Sequence, residues 1–170
     1  MRLWNGVLVV VLAAVGAVTA RAGINCPGGQ EPNNTFTMCL ECPAGFFSPG
    51  GTTPCAPCQG NTYTPGAGYA DCLDCAVGTQ GTQENTSCDL CAAGTYNDVA
   101  GGSCQPCPAG RYTAVSGSLL CALCPFGTES STDRTQCDLC PPGFFNDTAG
   151  GTCQACAAGS YTAVSGAIAC

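Results

Sequence analysis

Apolar residues are distributed along this chain in two unlike ways. From Leu3 to Val18 they are almost continuous, with VLVVVLAAV at the centre of the run. Beyond it, no stretch repeats apolar residues at i, i+3, i+4 and i+7 over three turns, so no amphipathic helix is predicted. What remains are short apolar or aromatic pairs placed between a glycine and a Ser-Gly or Gly-Gly turn, as in Arg111-Tyr112-Thr113-Ala114-Val115. This pattern predicts short strands, Arg111–Val115 the clearest, each returning through a turn to the next cysteine. The expected fold class is small and disulfide-rich: an elongated tandem array of short β-hairpin or loop units, with little or no helix after the leading run. Units of this kind are expected to stack only on their neighbours.

The leading run has its own meaning. Met1 and Arg2 form a small positive start, and small residues offer cleavage after Ala20 or Ala22. An apolar run of about 16 residues is shorter than the ~20 needed to span a bilayer as a helix. Residues 1–22 are therefore read as a secretory signal peptide, and 23–170 as the mature repeat region. The mature region contains no second apolar run, so membrane attachment is expected only through a C-terminal part absent from this sequence.

The cysteines give the units their boundaries. Eight CxxC pairs begin at Cys39, Cys55, Cys72, Cys88, Cys104, Cys121, Cys137 and Cys153, at steps of 16 or 17 residues, and Cys26 and Cys170 stand alone at the two ends. Three steps make a super-repeat of 49 residues: Cys88–Cys121 aligns without gaps on Cys137–Cys170, with 22 of 34 positions identical. Giving the second cysteine of each pair to the following loop divides the chain into nine units: Cys26–Cys39, Cys42–Cys55, Cys58–Cys72, Cys75–Cys88, Cys91–Cys104, Cys107–Cys121, Cys124–Cys137, Cys140–Cys153 and Cys156–Cys170. Each holds two cysteines and none is left over. These nine pairs are the expected disulfides, because closing each CxxC on itself would strand Cys26 and Cys170. Spacing alone does not exclude a crossed pairing in some units.

Within the units, a glycine stands three residues after the opening cysteine in all but the third, which has Gly60-Asn61. An aromatic follows two residues later in six units, as Phe47, Tyr63, Tyr96, Tyr112, Phe145 and Tyr161, and is missing from every third unit, those opening at Cys26, Cys75 and Cys124. These rings are expected to pack on a bridge rather than meet a ligand.

Composition sharpens this picture by exclusion. The chain has 18 Cys, no His and no Lys. Imidazole acid–base catalysis, His-ligated zinc, lysine Schiff bases and phosphate-loop lysines are all ruled out. The mature region keeps only Arg111 and Arg134 against eleven acids, a poor match to nucleic acid. Its Leu, Ile, Val and Phe content lies below the ~20% at which a charged chain is expected to be disordered. Cross-links formed in an oxidising compartment can stabilise such a chain where a conventional core cannot.

Three chemistries compete for the CxxC pairs. A redox motif needs a low-pKa thiol at a helix N-terminus, which a helix-poor array does not supply. A four-cysteine zinc site is possible by spacing, but oxidation behind a signal peptide favours disulfides. The expectation is therefore no enzyme, no catalytic residue, no metal and no cofactor, with a secreted thiol–disulfide oxidoreductase or a zinc-binding protein as the alternatives. The acids Glu41, Asp74, Asp89 and Asp138 at the joints are read as solvated surface groups rather than calcium ligands, since no EF-hand loop is present. Asn33, Asn85 and Asn146 open N-x-[ST] sequons and are candidate glycosylation sites. Asn97 occupies the place of Asn146 one super-repeat earlier, with Val99 where a sequon would need Thr.

Units such as CPAGFFSPGGTTPCAPC and CPAGRYTAVSGSLLCALCPFGT resemble the ephrin-receptor-like cysteine-rich repeats of the growth-factor-receptor and tumour-necrosis-factor-receptor group, over Cys26 to Cys170. Protozoan CxxC-rich surface antigens are the second resemblance. The first implies an extracellular stalk, adhesive or ligand-binding segment of a secreted or cell-surface protein, with a protein or glycan partner at the cell surface. The second implies a protective coat. The array ends on Cys170 where the pattern expects another CxxC, so a truncated chain is expected.

Overall fold

The computed structural model describes residues 23–170. The signal peptide expected at 1–22 lies outside the described residues. Those that are described form sixteen strands of two or three residues and no helix.

The strands make eight separate antiparallel hairpins. In chain order they are β1 (Gln30–Pro32) with β2 (Cys39–Glu41), β3 (Phe46–Phe47) with β4 (Ala56–Pro57), and β5 (Thr62–Tyr63) with β6 (Leu73–Asp74). Next come β7 (Thr79–Gly81) with β8 (Cys88–Leu90), β9 (Thr95–Tyr96) with β10 (Gln105–Pro106), and β11 (Arg111–Tyr112) with β12 (Ala122–Leu123). The last two are β13 (Thr128–Ser130) with β14 (Cys137–Leu139), and β15 (Phe144–Phe145) with β16 (Gln154–Ala155). The strand expected over Arg111–Val115 stops at Tyr112. Beyond it the Thr113 N–H turns away from the hairpin, to the Arg134 carbonyl of the next unit at 3.0 Å.

The return strand of every hairpin is the CxxC joint itself. In the register, Glu129 faces Asp138 and Ser130 faces Cys137; Tyr112 faces Ala122. Each joint therefore closes one unit and opens the next.

Nine disulfides tie the units, each between cysteines 13 or 14 residues apart and with Cα atoms 5.5–5.8 Å apart. The pairing is sequential, with no crossed bridge and no free cysteine among the described residues. In a chain-entropy model, closing a loop of this size removes about 3 kcal/mol worth of unfolded-state freedom.

The interior is unlike that of a conventional domain. The opening cysteines Cys42, Cys75, Cys107, Cys124 and Cys140 are 0% exposed, while Leu90, Leu120 and Leu139 are more than 60% exposed. The buried polar side chains include Ser48, Thr64, Asn97, Thr113 and Asn146. All five stand six residues after an opening cysteine. The core is thus a column of sulfurs flanked by a row of hydrogen-bonding side chains.

Backbone hydrogen bonds hold the units together. Each opening cysteine from Cys42 to Cys156 donates its N–H to the carbonyl three residues after the previous opening cysteine, at 2.8–3.0 Å. The N–H of the glycine at that third position donates into the next unit: Gly29 to Ser48, Gly45 to Thr64, Gly78 to Asn97, Gly94 to Thr113, Gly127 to Asn146 and Gly143 to Thr162. The N–H of the sixth residue then donates onward again, as from Asn97 to Ser118 and from Asn146 to Ala167.

Stacking is not confined to neighbours. A methyl group on Gly94, in the fifth unit, would collide with the carbonyl of Asp133 in the seventh. Gly78 meets Gly117, Gly110 meets Gly150 and Gly127 meets Gly166 in the same way, each two units on. The reason is thickness. With no side-chain layer between units, backbones approach closely enough for every second unit to touch, and only glycine at φ between +74° and +84° leaves room.

Candidate functional site: the stapled backbone and its exposed faces

All eighteen predicted cysteines are drawn into this one architectural feature. From Cys42 to Cys140 each opening cysteine is buried and has its N–H bonded to the preceding unit, while its carbonyl can accept from the following one, as Cys75 does from Gly101 at 2.8 Å. Every thiol is consumed in a bridge, so none of the CxxC pairs is a dithiol in this state.

The sixth-position row explains residues the sequence pattern left unassigned. The Asn97 amide donates from Nδ2 to the carbonyls of Thr79 at 2.8 Å and Gly102 at 2.9 Å, and its Oδ1 accepts from Val99 N–H at 3.0 Å. Asn146 repeats this, donating to the Thr128 carbonyl at 2.6 Å and accepting from Thr148 N–H at 3.0 Å. Ser48 fills the same place in the second unit, donating to Thr53 O and accepting from Gly50 N–H. A side chain here reaches back to the previous unit or pins its own turn.

The three units without an aromatic carry a different device. In the aromatic's place stand Glu31, Gln80 and Glu129. The side-chain oxygen of each accepts the N–H of the closing cysteine of the next unit: Cys55 to Glu31 at 2.7 Å, Cys104 to Gln80 at 3.3 Å, and Cys153 to Glu129 at 3.0 Å. The signal for this was present in the sequence as a Glu/Gln recurring every 49 residues, but spacing could not say what it bonded. The tenth position separates the same three units. It holds Phe36, Asn85 and Arg134 at φ 54–61°, where five of the other six units place glycine and the second places Thr52. The Arg134 guanidinium also donates from Nη1 to the Cys107 carbonyl, one unit back.

The aromatics lie against the hairpins in a half-buried state. Tyr63, Tyr96 and Tyr112 are intermediate in exposure, whereas Tyr161 is 79% exposed. The joint acids Glu41, Asp74, Asp89 and Asp138 are all exposed. Among the described residues, no three acids or cysteines converge as a metal site would require. Asp133 lies in the turn of the β13–β14 hairpin. The Ser131 hydroxyl, then the Thr135 N–H and hydroxyl, donate to it and hold its pKa below the ordinary value.

The three sequons end in different surroundings. Asn33 is half-exposed, its Nδ2 donating to Thr37 Oγ1 and its Oδ1 accepting from Thr37 N–H. Asn85 is also half-exposed, and its carboxamide makes no hydrogen bond among the described residues. Asn146 is 1% exposed with its amide engaged in two units. Of the three, Asn146 is the one the fold buries, with both ends of its carboxamide engaged.

Surface depressions are shallow. One open groove of about 390 Å³ is lined by Tyr96, Asp98, Pro108, Arg111, Leu119 and Leu120, at the meeting of the fifth and sixth units. Another of about 540 Å³ lies along Glu31, Asn33, Asn34 and Leu40 in the first. No helix among the described residues is long and apolar enough to cross a membrane.

The family model described as tyrosine-protein kinase ephrin type A/B receptor-like matches three times, at residues 45–87, 78–119 and 94–135. Together the matches span more than half of the chain. Among curated proteins, none matches it.

Proposed function

The chain belongs to the tyrosine-protein kinase ephrin type A/B receptor-like repeat family, and from that premise we propose that it is a structural stalk, adhesive or ligand-binding segment of a secreted or cell-surface protein. It is proposed to act without a catalytic residue, a metal or a cofactor, through shape and surface. Its partner in this reading is a protein or glycan at a cell surface, and residues 1–22 are the leader that takes it there.

The observation that carries the reading is the nature of the core. Nine bridges and a row of buried hydrogen-bonding side chains replace an aliphatic interior. Such a core has nothing to hold it in a reducing compartment, where thiols stay open. A chain that uses all its cysteines in this way requires oxidative folding, which supports passage through a secretory route. The large exposed leucines lend the surface its capacity for contact, since aliphatic side chains excluded from a core remain available at the exterior.

The test is secretion with bridge mapping. The chain with its own leader should appear in the medium of a eukaryotic host. Non-reducing peptide mapping should recover the nine sequential bridges, and thiol labelling of denatured protein should find no free cysteine. Retention in the cytosol, or free thiols at most joints, would overturn the reading.

A further inference from the structure

We propose that the fold sorts its sequons: the folded chain carries sugar on Asn85 and none on Asn146, whose amide is a structural part of the array. The proposal rests on the secretory location inferred above. Both asparagines open an N-x-[ST] sequon, as Asn85-Thr86-Ser87 and Asn146-Asp147-Thr148, and the fold gives them opposite surroundings.

Glycan transfer joins Asn Nδ2 to C1 of the reducing-end sugar of a lipid-pyrophosphate-linked oligosaccharide. The C1–O bond to phosphate breaks, the lipid pyrophosphate leaves with the electron pair, and Nδ2 gives up one proton. The product has a bulky hydrophilic group on that nitrogen, which must stay in water. Asn85 meets the requirement. It sits in the turn of the β7–β8 hairpin at φ +54°, with exposed Gln83 and Glu84 beside it and its carboxamide unengaged. What the fold takes from Asn85 is its backbone: its carbonyl accepts Thr64 N–H at 3.0 Å and its N–H donates to Thr82 O at 3.0 Å. Sugar on the side chain leaves both bonds in place.

Asn146 is the opposite case. Its Nδ2 bonds the Thr128 carbonyl across the unit boundary, and its Oδ1 takes the Thr148 N–H. With 1% of the residue exposed, a sugar on Nδ2 has no path to solvent unless the eighth unit opens. The sister position supports a structural role. Asn97 makes the corresponding bonds in the fifth unit, where Val99 in place of Thr148 abolishes the sequon. The asparagine is thus used where no sugar can be added, and the Thr at 148 completes a motif the fold does not use.

The experiment expresses residues 23–170 behind a heterologous secretory leader in a glycosylating host. Failure of the chain's own leader therefore bears on the proposed location and leaves this proposal intact. Secreted protein is treated with peptide-N-glycosidase in heavy-oxygen water and mapped without reduction. The expected result is heavy Asp at 85 and unlabelled Asn at 146. Thr148→Val, which copies the natural sister unit, should change neither glycan mass nor secreted yield. Asn146→Ala should lower yield several-fold, as expected when buried partners lose their bonds. Glycan on Asn146 in protein with Cys140–Cys153 closed would overturn the proposal, as would bare Asn85 in secreted protein. Loss of one glycan mass in Thr148→Val would do the same, and that variant decides the matter even if Asn146→Ala fails to fold.

Discussion

Glycine at the third position of a unit serves two purposes, and one pair of substitutions separates them. Gly94 and Gly143 occupy the same place one super-repeat apart, with φ of +82° and +85°. A Cβ on Gly94 collides with the Asp133 carbonyl two units on, while a Cβ on Gly143 meets nothing within 4 Å. Alanine at either site pays the left-handed backbone cost of about 1–2 kcal/mol. At Gly94 it must also displace a backbone carbonyl, for which overpacking costs of about 1–3 kcal/mol are typical. The difference between the variants is the energetic weight of the contact between every second unit.

The assay is native-state hydrogen exchange, because the bridges stay closed and local opening can be read site by site. The reporters are Cys107 N–H, bonded to the Gly94 carbonyl, and Cys156 N–H, bonded to the Gly143 carbonyl, both at 2.9 Å. Each is compared with the same amide in the parent chain. Gly143→Ala should lower protection of Cys156 by roughly 5- to 30-fold, the factor that corresponds to one or two kcal/mol. Gly94→Ala should lower that of Cys107 by roughly a further 5- to 150-fold, in line with the added 1–3 kcal/mol. Equal losses would refute the reasoning, because they would show that the approach of the seventh unit to the fifth carries no weight.

Other outcomes follow from single contacts. Glu129→Gln should leave stability within about 0.5 kcal/mol of the parent, since Gln80 makes the same bond naturally, while Glu129→Ala should cost about 1 kcal/mol; denaturant midpoints measure both, and equal effects would remove the role assigned to this oxygen. Asn97→Ala should cost about 3 kcal/mol, because three hydrogen bonds of roughly 1 kcal/mol each are lost at a residue only 3% exposed. Its exchange signature should be faster opening at Val99. Asp133 should titrate below 3.8 in a carboxyl NMR experiment, because its turn donates to the ionised form. With the folded pKa lowered, the turn's added stability is present above the unfolded pKa and is lost as pH falls through the folded one. A midpoint at or above 3.8 would contradict the hydrogen bonds assigned to it.

Much of this architecture was legible from spacing. Unit boundaries and the super-repeat follow from where cysteines stand; the sequential bridges were the expected pairing, but a crossed arrangement stayed open until the fold placed the sulfurs. The turn glycines were legible too, since a positive φ is a local demand. Arg111 shows where local reading ended. It opens a run that suits a strand, but the strand breaks after Tyr112 because Thr113 bonds the next unit instead.

The candidate site divides along the same line. Composition and period are properties of the linear chain, and they were enough to predict a cysteine-tiled repeat without imidazole or lysine chemistry. The fold assigned the polar residues their tasks. It placed Asn97 and Asn146 inside, turned Glu31, Gln80 and Glu129 toward closing cysteines 24 residues away, and left Asn85 open. It also brought every second unit into contact. Each of these outcomes depends on which backbone group of another unit comes within about 3 Å, and no pattern within one unit contains that information.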